Sequence, residues 1–215
     1  MWYRNFLISS IGKKFVMAAT GLFLVFFLFV HVIGNSLVFF GSEVFQTYAN
    51  VLHAIPLVVL VFSVLFFSAL FAHMGYGLFL FFQNRTEGDS RYAVSVRTVK
   101  NSFASKTMPY TGLFIFFFLI IHLTGFTFSG EEAPTSVLVQ ERLSSFVYGI
   151  FYLIAFGALY LHLSHGFWSM LQTFGMNHPR YNPYIAKLTI IIPAFFNIVF
   201  ALVALYFMTG IGTGY

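Results

Sequence analysis

The sequence contains no cysteine and few charged residues. The absence of thiols excludes disulfides, cysteine-ligated iron–sulfur clusters and thiol catalysis within this chain. Lys, Arg, Asp and Glu make up only 8% of the 215 residues, whereas hydrophobic residues make up 59% and phenylalanine occurs 32 times. A water-soluble domain of this size does not need so much apolar surface, but a helical membrane bundle does. The expected fold class is therefore all-α, an integral membrane bundle.

Uncharged apolar runs predict five transmembrane helices. Each run is long enough to cross ~30 Å of hydrocarbon at ~1.5 Å per residue. The first run is too long for the apolar region of a signal peptide and lacks a small-residue cleavage motif. The predicted spans are about 15–41, 57–82, 108–128, 146–174 and 185–208, in a single domain that covers residues 1–215. Nothing indicates a separate soluble domain.

The distribution of basic residues predicts the orientation of the bundle. With the N-terminus inside, ten of the eleven Lys and Arg residues fall on inner segments, and only Arg142 falls outside. The outer loops instead carry acidic residues, namely Glu43, Glu131, Glu132 and Glu141. The positive-inside rule therefore places the N-terminus in the cytoplasm and the C-terminus outside, and it explains the basic residues without nucleic acid. The inner loop Gln83–Thr107 is a candidate for an amphipathic surface helix or a docking surface for a soluble partner.

Four of the seven histidines lie at paired depths in the first four spans. From the helix rise, His31 lies ~25 Å and His122 ~21 Å from the inner ends of their spans, in the outer half of the membrane. His73 and His162 lie ~14 Å and ~15 Å from the inner ends. Spans I and III thus share an outer layer, and spans II and IV share an inner layer. A four-helix arrangement would bring two imidazoles together in each layer, as bundles do in metal and cofactor sites.

Paired imidazoles in apolar surroundings favour haem over zinc. Zinc takes four protein ligands, or three with an open position, and no span contains Asp, Glu or Cys. Haem brings four equatorial nitrogens and asks the protein only for axial ligands. Two histidines complete the coordination of its iron, which favours electron transfer over oxygen activation. The pattern therefore predicts two stacked haem b groups enclosed by four of the five helices.

A glycine follows each inner histidine by four residues, on the same helical face one turn away. Gly77 follows His73, and Gly166 follows His162. A missing side chain there would let a flat macrocycle lie against the backbone, although small residues also permit close helix contacts. His165 competes with His162 as the ligand, but His162 matches the depth of His73. We therefore predict His162 as the ligand, and His165 as a propionate contact or a satisfied polar residue.

Cations are expected near the propionates of the predicted haems. On the outer side, the candidate is Arg142 at the start of span IV, and an ion pair with Glu141 or Glu132 is the alternative. On the inner side, three candidates remain open: Arg97, Lys100 and Lys106.

These residues together resemble the cytochrome b membrane anchor of succinate dehydrogenase and quinol:fumarate reductase, in its single-subunit, five-helix, two-haem form. The resemblance covers essentially the whole chain and is carried by Gly21–His31, Ala72-His73-Met-Gly-Tyr-Gly77, Ile121-His122 and His162-Leu-Ser-His-Gly-Phe-Trp-Ser169. It implies that His31 and His122 are the axial iron ligands of an outer haem, and that His73 and His162 are those of an inner haem. It also implies that Arg142 contacts the outer propionates.

The resemblance further implies partners and a reaction. A flavoprotein subunit and an iron–sulfur subunit would dock on the basic inner face, at a bacterial cytoplasmic membrane, and the dicarboxylate chemistry would lie on another subunit. This chain would carry electrons between the iron–sulfur subunit and menaquinone. Its other partners would be membrane lipids, without nucleic acid, and a higher oligomer is left open. Some quinol-oxidising relatives carry a glutamate where this chain has Tyr160. That departure slightly favours succinate oxidation over fumarate reduction.

The quinone site has two candidate positions. On the outer side, His53, Tyr48 and Glu43 are predicted to donate to quinone carbonyls or to exchange protons near the outer haem. On the inner side, Ser10-Ile-Gly-Lys-Lys14 is similar to the Ser-x-x-x-Arg element of single-haem ubiquinone relatives, but Lys14 also reads as an ordinary topology charge. The outer position is preferred.

Two alternative functions remain open. One is the haem b subunit of another quinol-linked reductase, such as the nitrate reductase type, whose histidine pattern fits less well. The other is a haem-free transporter that uses intramembrane histidines. Transporters usually have charged residues or broken helices at mid-membrane, and here no charged residue lies within a span core.

Overall fold

The computed structural model of the chain describes residues 2–87, 103–130 and 132–212. All regular structure in these ranges is helical, which confirms the predicted all-α class. Five of the described helices are long and apolar enough to cross a membrane, as expected of a multi-pass membrane protein. The helices are α1 (Trp2–Ile8), α2 (Ser10–Ser36), α3 (Ser42–His53), α4 (Pro56–Glu87), α5 (Phe103–Gly125), α6 (Thr135–Ser144), α7 (Phe146–Thr173) and α8 (Asn182–Met208).

The five predicted spans correspond to α2, α4, α5, α7 and α8, with ends shifted by a few residues. Helix α2 begins earlier than predicted because Ser9 caps it, with the Ser9 hydroxyl accepting from the Gly12 backbone N–H at 3.0 Å. Its outer end continues as a 3₁₀ turn over Leu37–Phe40. Helices α4 and α5 both extend into the predicted inner loop. The predicted amphipathic helix of that loop would fall on residues 88–102, which lie outside the described residues.

Two short helices, α3 and α6, lie in the outer connections, where the sequence analysis predicted no helix. The Gln46 side chain links them by accepting from the Ser136 backbone N–H at 3.0 Å. Helix α3 buries Phe45 and Ala49, one turn apart, beneath its polar residues. With 12 and 10 residues, these helices are too short for apolar periodicity to stand out beside the spans.

Helices α2 and α7 lie at the centre of the bundle. Helix α2 packs against α4 and α7, α7 packs against α5, and α8 packs against both α2 and α7. The buried core accordingly lies between α2, α7 and α8 and includes Val32, Tyr152, Phe156, Phe200 and Phe207. Helices α4 and α5 instead present many large apolar side chains outward, which costs little where lipid replaces water.

Asn197 supplies a polar link between α8 and α7. Its Nδ2 donates to the Phe156 carbonyl at 2.8 Å. Interhelical hydrogen bonds in membranes average ~0.6 kcal/mol and reach ~1.7 kcal/mol. We expect Asn197→Leu to lower the free energy of unfolding by about 1 kcal/mol in a detergent unfolding titration. Ile198→Ala, at a neighbouring side chain that is 57% exposed, is the control and should change stability little. Equal losses in the two variants would contradict the role of this link.

Candidate functional site

The outer pair of predicted histidines meets inside the bundle. His31 of α2 and His122 of α5 have ring centroids 5.9 Å apart, with their planes at 88°. Each ring stacks on the phenylalanine four residues earlier in its own helix, Phe27 at 5.3 Å and Phe118 at 5.6 Å. Residues four apart share a helical face, so both phenylalanines support a ring that points to the bundle centre.

The inner pair also meets. His73 of α4 and His162 of α7 have ring centroids 6.3 Å apart, with their planes at 66°. Each ring has a threonine beside its Nδ1 atom. The threonine lies on the preceding transmembrane helix, α2 for His73 and α5 for His162. Thr20 Oγ1 lies 3.3 Å from His73 Nδ1, and Thr111 Oγ1 lies 3.4 Å from His162 Nδ1.

The two threonines favour one position for the proton of each inner ring. A hydroxyl has one proton, and Thr20 donates its proton to the Val16 carbonyl at 2.8 Å. Thr111 likewise donates to a carbonyl of its own helix, with Met108 O at 3.0 Å. Each hydroxyl oxygen can then accept a proton from the histidine beside it, which favours the proton on Nδ1. The rings also bond the backbone of the threonine-bearing helices, His73 at Met17 and His162 at Met108. Nε2 of each ring then keeps a lone pair and is the nitrogen available to a metal ion.

Both pairs join helices that lie diagonally across the bundle. The packed neighbours are α2 with α4, α5 with α7 and α2 with α7, with a slighter contact between α4 and α5. The outer pair links α2 to α5, and the inner pair links α4 to α7. The two diagonals cross at different depths, so both ring pairs lie near the centre of the four-helix arrangement.

The spacing of each pair suits one metal ion between two axial imidazoles. A metal–imidazole bond is ~2.0–2.1 Å, so two rings on one ion have centroids about 6 Å apart once the two half-rings are added. The observed separations are 5.9 Å and 6.3 Å. Within the described residues, no group of three or more His, Asp or Glu side chains converges as a metal site. The spacing of the two rings in each pair fits a cofactor that takes two protein ligands, which is the requirement of haem.

The two predicted glycines both face a methionine. A Cβ added at Gly77 would lie 3.2 Å from the Met17 methyl group, and one added at Gly166 would lie 3.5 Å from the Met108 methyl group. Unbranched methionines adapt readily to an irregular space. The flexible side chain beside each glycine is thus one that can move aside for a flat ligand, and macrocycle clearance remains the prediction for both glycines.

The outer pair has a different polar partner. His122 Nδ1 lies 3.0 Å from the Tyr152 hydroxyl, and that hydroxyl lies 3.3 Å from the Tyr148 hydroxyl. The His31 ring is flanked by Phe27 and also by Phe200 of α8, at a centroid distance of 5.7 Å. The two outer rings therefore differ in surroundings, whereas the two inner rings are held alike.

The structure places Arg142 differently from the sequence analysis. Arg142 lies in the last turn of α6, and α7 begins only at Phe146 after an extended residue, Ser145. It therefore precedes span IV rather than starting it, because α6 was not predicted. Arg142 is still close enough to Tyr152 to interact with it electrostatically, which keeps it near the outer histidine pair.

Two of the four remaining inner candidates, His165 and Lys106, lie in the part of the chain that the structure describes. His165 is part-buried and one turn nearer the inner end of α7, where it interacts electrostatically with His162. Lys106 is exposed in the first turn of α5. Arg97 and Lys100 lie outside the described residues.

The three predicted quinone residues have different surroundings. Glu43, Tyr48 and His53 all belong to α3, but steps of five residues turn successive side chains by about 140°. The Tyr48 hydroxyl lies against Gly34 of α2, and His53 Nδ1 lies 2.8 Å from the Ala49 carbonyl of its own helix. Glu43 instead lines a cleft of about 400 Å³ with residues such as Phe40, Tyr206 and Gly212. Glu43 alone of the three borders a cavity there.

Thr20, Thr111 and Tyr152 are the site residues that the sequence analysis missed. A threonine in a helix usually bonds the carbonyl four residues back, so its presence alone signals nothing. The repeat of Thr-Gly-Leu-Phe, at residues 20–23 and 111–114, could have identified the two threonines. Each segment begins 11 residues before an outer histidine.

No protein-family model matches the sequence, and no curated protein matches it. The family resemblance therefore depends on the sequence motifs alone.

Removing the Tyr152 hydroxyl should disturb the outer site and leave the inner one unchanged. Tyr152→Phe keeps the aromatic packing but removes the partner of His122 Nδ1. We expect the ferric EPR signal of haem held at the outer pair to shift, with no change in the other haem signal. Tyr160→Phe makes the same chemical change two turns further along α7 and is the matched control. A shift in both variants, or in neither, would contradict the specific contact.

Proposed function

We propose that the chain is the two-haem cytochrome b membrane anchor of a succinate:quinone oxidoreductase. The observation that supports it most directly is the presence of two diagonal histidine pairs, one above the other, at the spacing of axial ligands on one ion. His31 and His122 would hold the outer haem, and His73 and His162 the inner haem. Bound haem supplies a one-electron couple, and two of them along the bundle would carry electrons between an iron–sulfur partner and menaquinone.

The residues of this chain provide binding, orientation and exclusion of water. The threonine and tyrosine hydroxyls orient three of the four proposed ligands through Nδ1. Phe27, Phe118 and Phe200 surround the outer rings with apolar surface. With two protein ligands per ion and no open position, the arrangement suits electron transfer better than chemistry at the metal.

The proposed orientation is N-terminus inside and C-terminus outside, in a bacterial cytoplasmic membrane. Basic residues at the inner ends of the spans support it. Lys13, for example, contacts Gln83 Oε1 at 3.3 Å and lies over the Phe79 ring at 4.4 Å, so its charge is held at the inner boundary of the bundle. The flavoprotein and iron–sulfur partners would dock on that face. Menaquinone would bind towards the outer end, with succinate oxidation as the favoured direction.

The first test of the proposed function is haem content. A pyridine haemochrome assay on the purified chain should give two haem b groups per chain, because each histidine pair completes one iron. A chain without haem would overturn the proposal and favour the transporter alternative.

The partner assignment is tested in the assembled complex. Succinate should reduce the same haem that dithionite reduces, and haem that only dithionite reduces would contradict the assignment.

A pair of histidine substitutions on α7 tests the ligand assignment. His162→Ala should remove the inner haem, because His73 is then left without the ring 6.3 Å away. His165→Ala, three residues further along the same helix, is the matched control and should retain two haems. Haem content and the reduced absorption spectrum report both results. Loss of the inner haem in the His165 variant alone would show that His165 is the ligand.

A further inference from the structure

The two halves of the bundle repeat the same sequence pattern. Residues 17–34 of α2 and 108–125 of α5 align without gaps at a spacing of 91 residues. The shared residues, in order, are Met, Thr, Gly, Leu, Phe, Phe, Phe, Leu, His and Gly. Helices α4 and α7 repeat a shorter pattern at a spacing of 89 residues: His73 matches His162, Gly77 matches Gly166, and Gln83 matches Gln172. The halves α2–α4 and α5–α7 are therefore equivalent units.

The contacts around the inner histidines repeat with the sequence. Thr20 lies beside His73 Nδ1 as Thr111 lies beside His162 Nδ1, at 3.3 Å and 3.4 Å. The residue after each threonine is a glycine, and a Cβ added at Gly21 or at Gly112 would lie 3.2 Å from Cε1 of the same histidine. A side chain at either glycine would crowd the ring edge. Each Thr-Gly pair thus forms a seat in which glycine admits the ring and threonine accepts its proton.

The outer layer lacks this repeated seat. The position in α4 that corresponds to Tyr152 of α7 is Ser63, so the tyrosine hydroxyl on His122 has no counterpart beside His31. Helix α8 also packs against α2 and α7 and brings Phe200 to the His31 ring. The seat is accordingly a property of the inner pair and not a general feature of histidines in this bundle.

We infer that Thr20 and Thr111 are positioning residues for the inner haem, one supplied by each half of the bundle. Thr20 accepts the Nδ1 proton of His73, and Thr111 accepts that of His162. Each contact would leave Nε2 of the ring facing the iron. This inference rests on the proposed function, because it concerns the ligands of the same haem. An accepted Nδ1 proton makes the imidazole a stronger base, and a stronger base stabilises ferric over ferrous iron.

Substitution of the threonines by valine tests the inference. Thr20→Val and Thr111→Val keep the β-branched shape and remove the hydroxyl oxygen beside Nδ1. The backbone bonds of the same rings, at Met17 and Met108, stay in place. We expect each to shift the midpoint potential of the inner haem to a more positive value and to change its ferric EPR signal. The outer haem should be unchanged in both. Thr20→Ser and Thr111→Ser restore the acceptor and should restore the wild-type potential.

Thr124→Val is the matched control. Thr124 lies on α5 like Thr111 and makes the same kind of bond to its own helix, to the Ile120 carbonyl at 2.8 Å. Its side chain is exposed and lies about 200° around the helix from His122. It should leave both potentials unchanged. Potentiometric titration and EPR of the haem-loaded chain measure all five variants, and the inner haem is the one whose signal His162→Ala removes.

The outcomes separate the two claims. Two bound haems with an unchanged inner potential and EPR signal in both valine variants would overturn the positioning role and leave the proposed function intact. An equal shift in Thr124→Val, or no restoration by serine, would overturn it as well, because the effect would then be merely structural. A wild-type chain that binds no haem would overturn both claims together.

Discussion

The structure depends on the cost of placing imidazole rings in hydrocarbon. A polar ring without a partner is expensive there, and no Asp, Glu, Lys or Arg lies within the span cores to supply one. The rings therefore take their partners from hydroxyls and from each other. His73 and His162 have threonines, and His122 has Tyr152. In the two pairs the ring centroids lie 5.9 Å and 6.3 Å apart, which suits two imidazoles on one metal ion. This requirement holds the helices in register, since a slip of one residue would turn a histidine by about 100° away from its partner.

The helix that breaks the repeat makes the two sites different. Helices α2–α4 and α5–α7 are equivalent units, but α8 has no counterpart and packs on the α2–α7 side. It covers His31 with Phe200 and contributes three of the six buried aromatic residues of the core, Phe196, Phe200 and Phe207. In the proposed function this difference is useful, because two haems in identical surroundings would have the same affinity for an electron. An unequal pair gives the inner and outer positions distinct potentials within one repeated framework.

Most of the fold was predictable from the sequence, and the site only in outline. Apolar runs predicted all five spans, since a span needs ~20 apolar residues and little else. Depth along a helix follows from the rise per residue, so the two histidine pairs were also predictable. The direction in which a side chain points around the helix axis was harder to predict. Glu43, Tyr48 and His53 share helix α3, but Tyr48 points about 140° away from each of the other two. Arg142 lies in α6, a short helix that the sequence analysis did not predict.

The two threonines show why a repeated sequence signal was not enough to predict their role. A helical threonine bonds its own backbone whether or not anything else approaches, so its role is decided by the neighbouring helix. Here the neighbour places a ring on the free side of the hydroxyl oxygen, next to a glycine that leaves room for it. A single such arrangement could be accidental packing. The same arrangement recurs 91 residues later, against the second inner histidine. This recurrence indicates that the arrangement is specific to the site.

The diagonal pairing also explains how a loosely packed helix fits into this bundle. Helix α4 packs on α2 and only slightly on α5, and its side chains are largely exposed. His73 nevertheless reaches across the centre to His162 of α7, a helix that α4 does not otherwise pack against closely. A group bound by both rings would tie α4 to the central helix, and binding to the folded form alone stabilises that form. In the proposed function, the inner haem is therefore part of what holds the four-helix arrangement together, as well as the carrier that it encloses.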